Sequence, residues 1–312
     1  MRRVSKLAVA PSVKEGLAAE ARCSGRGRGA IGFTLIELLI VVSIIALLVA
    51  IILPSLHKAR AQSRAVVCLS GLRQLHMANT NYAMENHDLY VPAASDILDG
   101  FGGRHRWHGV REAAGVDPDP AKNTFDPLKG PLADSLYDGK VKECPEGVTC
   151  WTEGVDNAFE SGCGGYGYNQ VGVGSRIYQA SWSREDLKRE NARYMQTGWL
   201  TTAVAKPAET VMFTDTAYRQ YHTQRGFYLT EYSFCEPPFP VSATVAGPVW
   251  YEGPSDSDLY LPTIHFRHLE RANVIWCDGH ANAQKMSFTR GDYGAPGLGW
   301  FGPRSNELFD PF

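Results

Sequence analysis

From Phe33 to Leu53 the chain runs for 21 residues with a single charged side chain, Glu37. As a helix, at 1.5 Å per residue, that run spans roughly 32 Å, close to the hydrocarbon thickness of a bilayer. No apolar run of this length recurs. One segment therefore meets a membrane, and the remaining residues are what it carries.

The flanks set its orientation. Residues 1–32 hold seven Lys/Arg (Arg2, Arg3, Lys6, Lys14, Arg22, Arg26 and Arg28) against Glu15 and Glu20. That excess keeps the N-terminus cytoplasmic under the positive-inside rule and places the residues after Leu53 on the other side. The run is longer than the apolar region of a secretory signal, and Pro54-Ser55-Leu56-His57-Lys58 follows it in place of a small-residue cleavage site. The small residues instead precede it, at Gly29-Ala30-Ile31-Gly32. Glu37 is the costly residue: an acid inside a membrane helix is unfavourable by about 2.5–3.5 kcal/mol on insertion scales. It sits one turn from the start, so it either snorkels to the headgroups or serves a function.

Gly32-Phe33-Thr34-Leu35-Ile36-Glu37 followed by the apolar run to Pro54 resembles the N-terminal signature of type IV prepilins and type II secretion pseudopilins. The resemblance implies that residues 1–32 are a leader removed by a prepilin peptidase between Gly32 and Phe33. The same enzyme would act as N-methyltransferase on Phe33. Glu37 would then pair with the terminal amine of a neighbouring subunit, a cation created by cleavage that offsets a carboxylate otherwise alone in lipid.

The whole chain carries 31 Lys/Arg and 33 Asp/Glu. With seven of those cations in residues 1–32, the rest is net acidic, a poor match to nucleic acid. Residues 55–88 continue as an amphipathic helix: Ala61, Ala65, Cys68, Leu72, Leu75, Asn79 and Tyr82 recur every three or four residues. Pro54 leaves open one bent helix or two. From residue 89 to 312 glycine, proline and aromatics dominate. Short runs at Val211–Asp215, Gly226–Thr230 and Ala272–Cys277 read as strands, Arg184–Met195 as a helix, and Asp88–Asn123 and Pro237–Pro262 as long loops. The fold class is α+β: a pilin-like long N-terminal helix, half transmembrane (33–54) and half amphipathic (55–88), packed on an antiparallel sheet with long loops.

Asp278-Gly279 predicts a two-residue hairpin turn, pairing Cys277 with His280 and Trp276 with Ala281. Val274, Trp276, Ala281 and Ala283 would then form the core face. His268, nine intervening residues, then Asp278-Gly279 resembles the C-terminal H-X9-DG signature of prepilin-like families from planctomycete-type bacteria. Their other marks are Cys68-Leu69-Ser70-Gly71-Leu72-Arg73-Gln74-Leu75, Cys144-Pro145, Tyr166-Gly167-Tyr168-Asn169 and Pro207 through Asp215. Gly71 departs from the usual Asn, and glycine weakens a helix interior by about 1 kcal/mol relative to Ala.

His265, His268, Asp278 and His280 are the residues of metal-ligand type, but their spacing has no zinc-site specificity. The simpler expectation is that Asp278 serves the turn and His268 a nearby carbonyl. No cofactor is expected, with Asp256-Ser257-Asp258 a weak calcium candidate. Outside the cytoplasm disulfides persist, and six cysteines follow residue 32. The leading pair is Cys68–Cys144, tying helix to sheet, with Cys144–Cys150 as local competitor. No catalytic motif is present, so no enzyme is expected.

The expected protein is a single-pass inner-membrane subunit, N-terminus cytoplasmic and C-terminal domain periplasmic or extracellular. It would assemble with other pilin or pseudopilin subunits, through an inner-membrane platform, into a type II secretion pseudopilus or type IV pilus-like fibre. The alternative is a membrane-tethered binding protein that never polymerises.

Overall fold

The computed structural model describes residues 33–97, 103–114, 117, 119–150, 160–176, 195–223, 226–239, 241–244, 247–250, 255–291 and 297–312. Two compact units emerge, residues 1–52 and a body over residues 53–312. Gly32 and the rest of the leader, like residues 184–194 of the expected helix, lie outside the described residues.

The helix α1, Leu35–Glu85, contains Pro54, so of the two arrangements left open the unbroken helix holds. It ends where His87 and Asp88 both adopt left-handed backbone, and the Asp88 amide donates to the Ala83 carbonyl at 2.9 Å. In the first unit every Leu, Ile and Val from Leu35 to Ile52 is exposed. The Ser43 hydroxyl is satisfied by the Ile40 carbonyl at 2.7 Å.

Strands of the body follow in order: β1 (His105–Arg106), β2 (Gly109–Val110), β3 (Tyr166–Tyr168), β4 (Val211–Asp215), β5 (Tyr218–His222), β6 (Gly226–Thr230), β7 (Val241–Thr244), β8 (Gly247–Trp250), β9 (Ile264–His265), β10 (Arg271–Trp276), β11 (Ala281–Lys285) and β12 (Leu298–Gly299). The central sheet has the order β11-β10-β4-β3 and is antiparallel throughout. The other strands pair two by two. Both stretches expected to be loops hold such hairpins, β1–β2 and β7–β8. Gly226–Thr230 is a strand as expected, but in a separate ribbon with β5.

Helix α1 covers one face of the sheet. Cys68, Leu72, Leu75 and Asn79 of the expected stripe are buried, while Ala61, Ala65 and Tyr82 lie at its edge. They pack with Tyr166, Tyr168, Phe213, Ile275 and Cys277. Asn79, the polar member, donates to the Tyr168 hydroxyl at 3.0 Å and accepts from the Val91 amide at 2.8 Å, so its amide is not buried unpaired. At Gly71 a Cβ would lie 2.7 Å from the Tyr166 hydroxyl oxygen. The missing side chain is what lets that ring reach the helix and donate to the Cys68 carbonyl at 3.4 Å.

The opposite face carries a second core of Val211, Val274, Trp276, Phe266, Trp300, Phe301 and Phe309. The expected single core face is therefore corrected: Ile275 and Cys277 are as buried as Val274 and Trp276, because layers cover both sides of β10. The hairpin register is corrected too. Ile275 pairs with Ala281 and Val274 with Asn282, one residue off the expected pairing. The turn spends three residues, Cys277-Asp278-Gly279. The Gly279 amide donates to the Trp276 carbonyl at 3.0 Å, and Gly279 takes φ +88°. A left-handed glycine closing a three-residue loop forms a bulge, and the one-residue slip moves Ala281 to the Ile275 face.

Candidate functional site

Among the described residues, two places hold most of the residues singled out above. The first is the start of α1. Phe33 is non-helical and exposed. Thr34 caps the helix: its hydroxyl accepts from the Glu37 amide at 3.2 Å, and Glu37 Oε2 accepts from the Thr34 amide at 2.9 Å and its hydroxyl at 2.8 Å. This reciprocal capping box satisfies two helix donors that would otherwise lack partners. It gives the one acid of the apolar run a local task besides any pairing with a neighbour.

The second place lies inside the body, and its geometry accounts for the nine residues between His268 and Asp278. His268 and Arg271 exchange backbone hydrogen bonds of 2.9 and 3.1 Å across Leu269 and Glu270, a tight turn with φ of +53° and +62°. Strand β10 then fills Arg271–Trp276, and Cys277 opens the second turn, at Asp278-Gly279. His268 and Asp278 are thus held at opposite ends of one six-residue strand, about 20 Å long. The grouping of His268 with Asp278 and His280 is excluded by that geometry. Asp278 instead accepts from the His280 amide at 3.0 Å and lies 2.7 Å from His280 Nδ1. Gly279 packs on α1, where a Cβ would fall 2.9 Å from the His76 ring, and His76 Nε2 lies 3.2 Å from the Cys277 carbonyl.

His268 turns inward. Its Nε2 lies 3.3 Å from Asp215 Oδ2 and 3.4 Å from Cys144 Sγ, not on the backbone carbonyl expected of it. Cys68 of α1 completes the group: its sulfur, that of Cys144 and a His268 nitrogen all lie within 4.8 Å of one another, all three residues buried. Both cysteines are thiols here. The competing Cys150 turns its thiol onto the Glu146 carbonyl at 3.3 Å. Asp215, at the end of β4, accepts from Arg267 Nη2 at 2.9 Å and from the Asn273 amide at 2.7 Å, and Arg267 also donates to the Thr216 and Gly165 carbonyls.

The charges in this enclosure set one another. Burial opposes the Asp215 carboxylate, but the Arg267 guanidinium and His268 hold it below the usual range. Burial likewise opposes the His268 cation, and Asp215 and Cys144 outweigh it, pushing the imidazole up to about 9. Cys68, His268 and Arg267 together hold the Cys144 thiol below the ordinary range against burial, while Cys68 rises. Neither Asp215 nor Arg267 was singled out from the sequence. An acid closing the apolar strand Val211–Asp215, and an arginine directly before His268, were the signals available.

His265 is buried beside Arg267 and held neutral, down to about 3. Asp256 pairs with Arg304 at 3.1 Å and Asp258 accepts from the Ser255 amide at 3.0 Å, so both acids of the calcium candidate have protein partners.

Comparison with known proteins places the first site in context. A prokaryotic N-terminal methylation motif matches residues 28–53. The type IV major pilin protein PilA of Myxococcus xanthus is 36% identical over 96 residues, 30% of this chain. The match spans 42% of that relative's length. No solved structure matches the chain. The N-terminal segment is prepilin-like, and its long apolar helix fits a single-pass membrane anchor. These similarities point to a structural subunit rather than an enzyme.

Proposed function

We propose that the chain is a pilin-like subunit that a prepilin peptidase cleaves between Gly32 and Phe33 and methylates on Phe33. The Phe33–Leu53 segment holds it in the inner membrane, N-terminus cytoplasmic and body outside. An assembly platform then draws it into a pseudopilus or pilus-like fibre. The observation that carries this reading is the exposed aliphatic surface of Leu35–Ile52, joined to a methylation motif over the same residues. Each of those side chains forgoes about 1.5–3 kcal/mol unless lipid or another helix covers it. In the fibre, neighbouring helices replace lipid, and Glu37 pairs with the new amine of a neighbour.

N-terminal mass spectrometry of the native protein tests the first step: methylated Phe33 is expected, and recovery with residues 1–32 attached refutes it. Gly32→Val should leave a longer precursor. Proteolysis of the body in intact spheroplasts tests the compartment. For Glu37 the capping box dictates the variant. Glu37→Gln keeps an N3 acceptor for Thr34 but removes the charge. It should insert normally and fail to enter fibres. Normal assembly, or the absence of any fibre, would favour the tethered-binder alternative.

A further inference from the structure

The cluster of Cys68, Cys144 and His268 is the feature of the body that the fibre role leaves without a task. We propose that Cys68 and Cys144 form a thiol–disulfide couple, and that His268 of the C-terminal signature sets its redox balance by pairing with the Cys144 sulfur in the reduced form.

Two donors converge on Cys144 Sγ, His268 Nε2 at 3.4 Å and the Gly147 amide at 3.3 Å, and the Cys68 sulfur lies within 4.8 Å of it. Hydrogen bonds to the charged form favour a thiolate, and the Arg267 guanidinium adds to them. At the other deeply buried cysteines, Cys163, Cys235 and Cys277, burial dominates and raises the thiol. Once the body has closed, the buried Cys144 sulfur has the Cys68 sulfur within 4.8 Å as its partner. Asp215 is a positioning residue: it fixes the His268 ring and balances its charge.

The oxidant is a small disulfide, RSSR, which enters before the body closes over α1. The Cys144 thiolate attacks one sulfur of RSSR, the S–S bond breaks, and the departing RS⁻ takes the His268 proton. Cys68 then attacks the mixed disulfide at Cys144 Sγ while its proton passes to His268. The second RS⁻ leaves and collects that proton. Two thiols lose two electrons and two protons, and RSSR becomes two RSH. The bond ties α1 to the body. A stabilised Cys144 thiolate also makes the disulfide easier to reduce than an ordinary structural one, because a low-pKa sulfur leaves readily and its reduced state is favoured.

The inference rests on the reading that the body lies outside the cytoplasm, where disulfides persist. A titration of the purified chain fails or succeeds independently of that reading. The full-length protein in detergent is equilibrated with glutathione mixtures in urea below its unfolding midpoint. It is then quenched with acid, tagged with a maleimide and mapped by peptide mass spectrometry. Cys68 and Cys144 should oxidise together as one linked pair, and Cys150→Ser should leave the midpoint alone. His268→Gln should move the midpoint at least tenfold toward more reducing mixtures. In the reduced wild type, thiolate ultraviolet absorbance should show one thiolate per chain at pH 6, a readout that needs no variant. The proposal is overturned by persistent thiols in oxidised glutathione, by a Cys144–Cys150 link or by an unmoved midpoint in a folded His268→Gln. Absence of the thiolate, or one tightly held zinc per chain shielding both sulfurs, overturns it as well.

Discussion

Between Leu35 and Ile52 helix α1 turns every large aliphatic side chain outward, and its one carboxylate is answered by Thr34, three residues away. Between Cys68 and Ala83 the same helix buries Leu72, Leu75 and Ala78, and in the body beneath it the buried carboxylate Asp215 is answered by residues more than fifty positions distant. The first stretch needs an environment from outside the chain; the second makes its own. Apolar exposure with local polar closure is the mark of a segment built for lipid or for sister helices. Buried ions with distant partners mark a body that folds around them.

The sharpest way to break that contrast is to remove a distant partner. Asp215→Ala leaves the Arg267 guanidinium buried beside His268 with its acid gone, and should destabilise the body by about 3–5 kcal/mol. Chemical denaturation followed by tryptophan fluorescence measures it. A loss below about 1 kcal/mol would mean that the enclosure is not sealed.

A paired truncation comes next. Leu72→Ala should cost about 2–5 kcal/mol by opening a cavity under β10, whereas Leu39→Ala should leave the unfolding of the body unchanged within about 0.5 kcal/mol. Equal effects would erase the distinction between the two stretches.

His268 supplies a pH signature. Its folded pKa, about 9, lies above the ordinary 6.5, so its stabilisation is complete below 6.5 and lost as pH rises through 9. Cys144, held below the ordinary thiol range chiefly by Cys68, works in the opposite sense: its stabilisation grows as pH rises toward 9 and offsets the histidine's loss. In reductant, wild-type stability should therefore vary little between pH 7 and 9, Cys144→Ser should uncover a fall of roughly 1–3 kcal/mol, and His268→Gln should leave a rise. A fall with pH that survives in His268→Gln assigns the titration elsewhere.

These sites differ in how plainly they are written. The anchor was legible because composition alone settles it: 21 residues with one charge leave few alternatives. The α1 stripe and the strands at 211, 226 and 272 followed from periodicity. The hairpin slipped by one residue because Asp-Gly suits both two- and three-residue turns, and the bulge at Gly279 depends on packing against His76. The polar enclosure was legible only in fragments. Cys68 and Cys144 meet as expected, though as two thiols rather than the expected disulfide, and His268 reads from the sequence as a neighbour of Asp278 and His280, from which one strand of backbone holds it apart. Long-range pairing such as Asp215 with Arg267 has no periodic signal at all.

Gly71 tests how closely helix and sheet must approach. Gly71→Ala gains helix propensity of about 1 kcal/mol but drives a methyl toward the Tyr166 hydroxyl, so a net loss of about 1–2 kcal/mol is expected. Removing the hydroxyl as well, in Gly71→Ala with Tyr166→Phe, should restore most of it. Thermal unfolding of the two variants decides whether the hydroxyl or the backbone sets the spacing.

The smallest effect should come from the turn that aims His268. Leu269 and Glu270 both hold left-handed backbone, a conformation that costs an L-residue with a Cβ roughly 1–2 kcal/mol and that Asn-Gly adopts readily. Leu269→Asn with Glu270→Gly should therefore stabilise the body, by about 1 kcal/mol once the added freedom of glycine in the unfolded chain is counted. The strain sits directly beside the histidine, where local cost is often retained for the geometry it enforces. If the relaxed turn raises stability and leaves the glutathione midpoint of Cys68 and Cys144 in place, the turn only needs its shape. If it raises stability but shifts that midpoint, the strained turn is what presses His268 onto the sulfur.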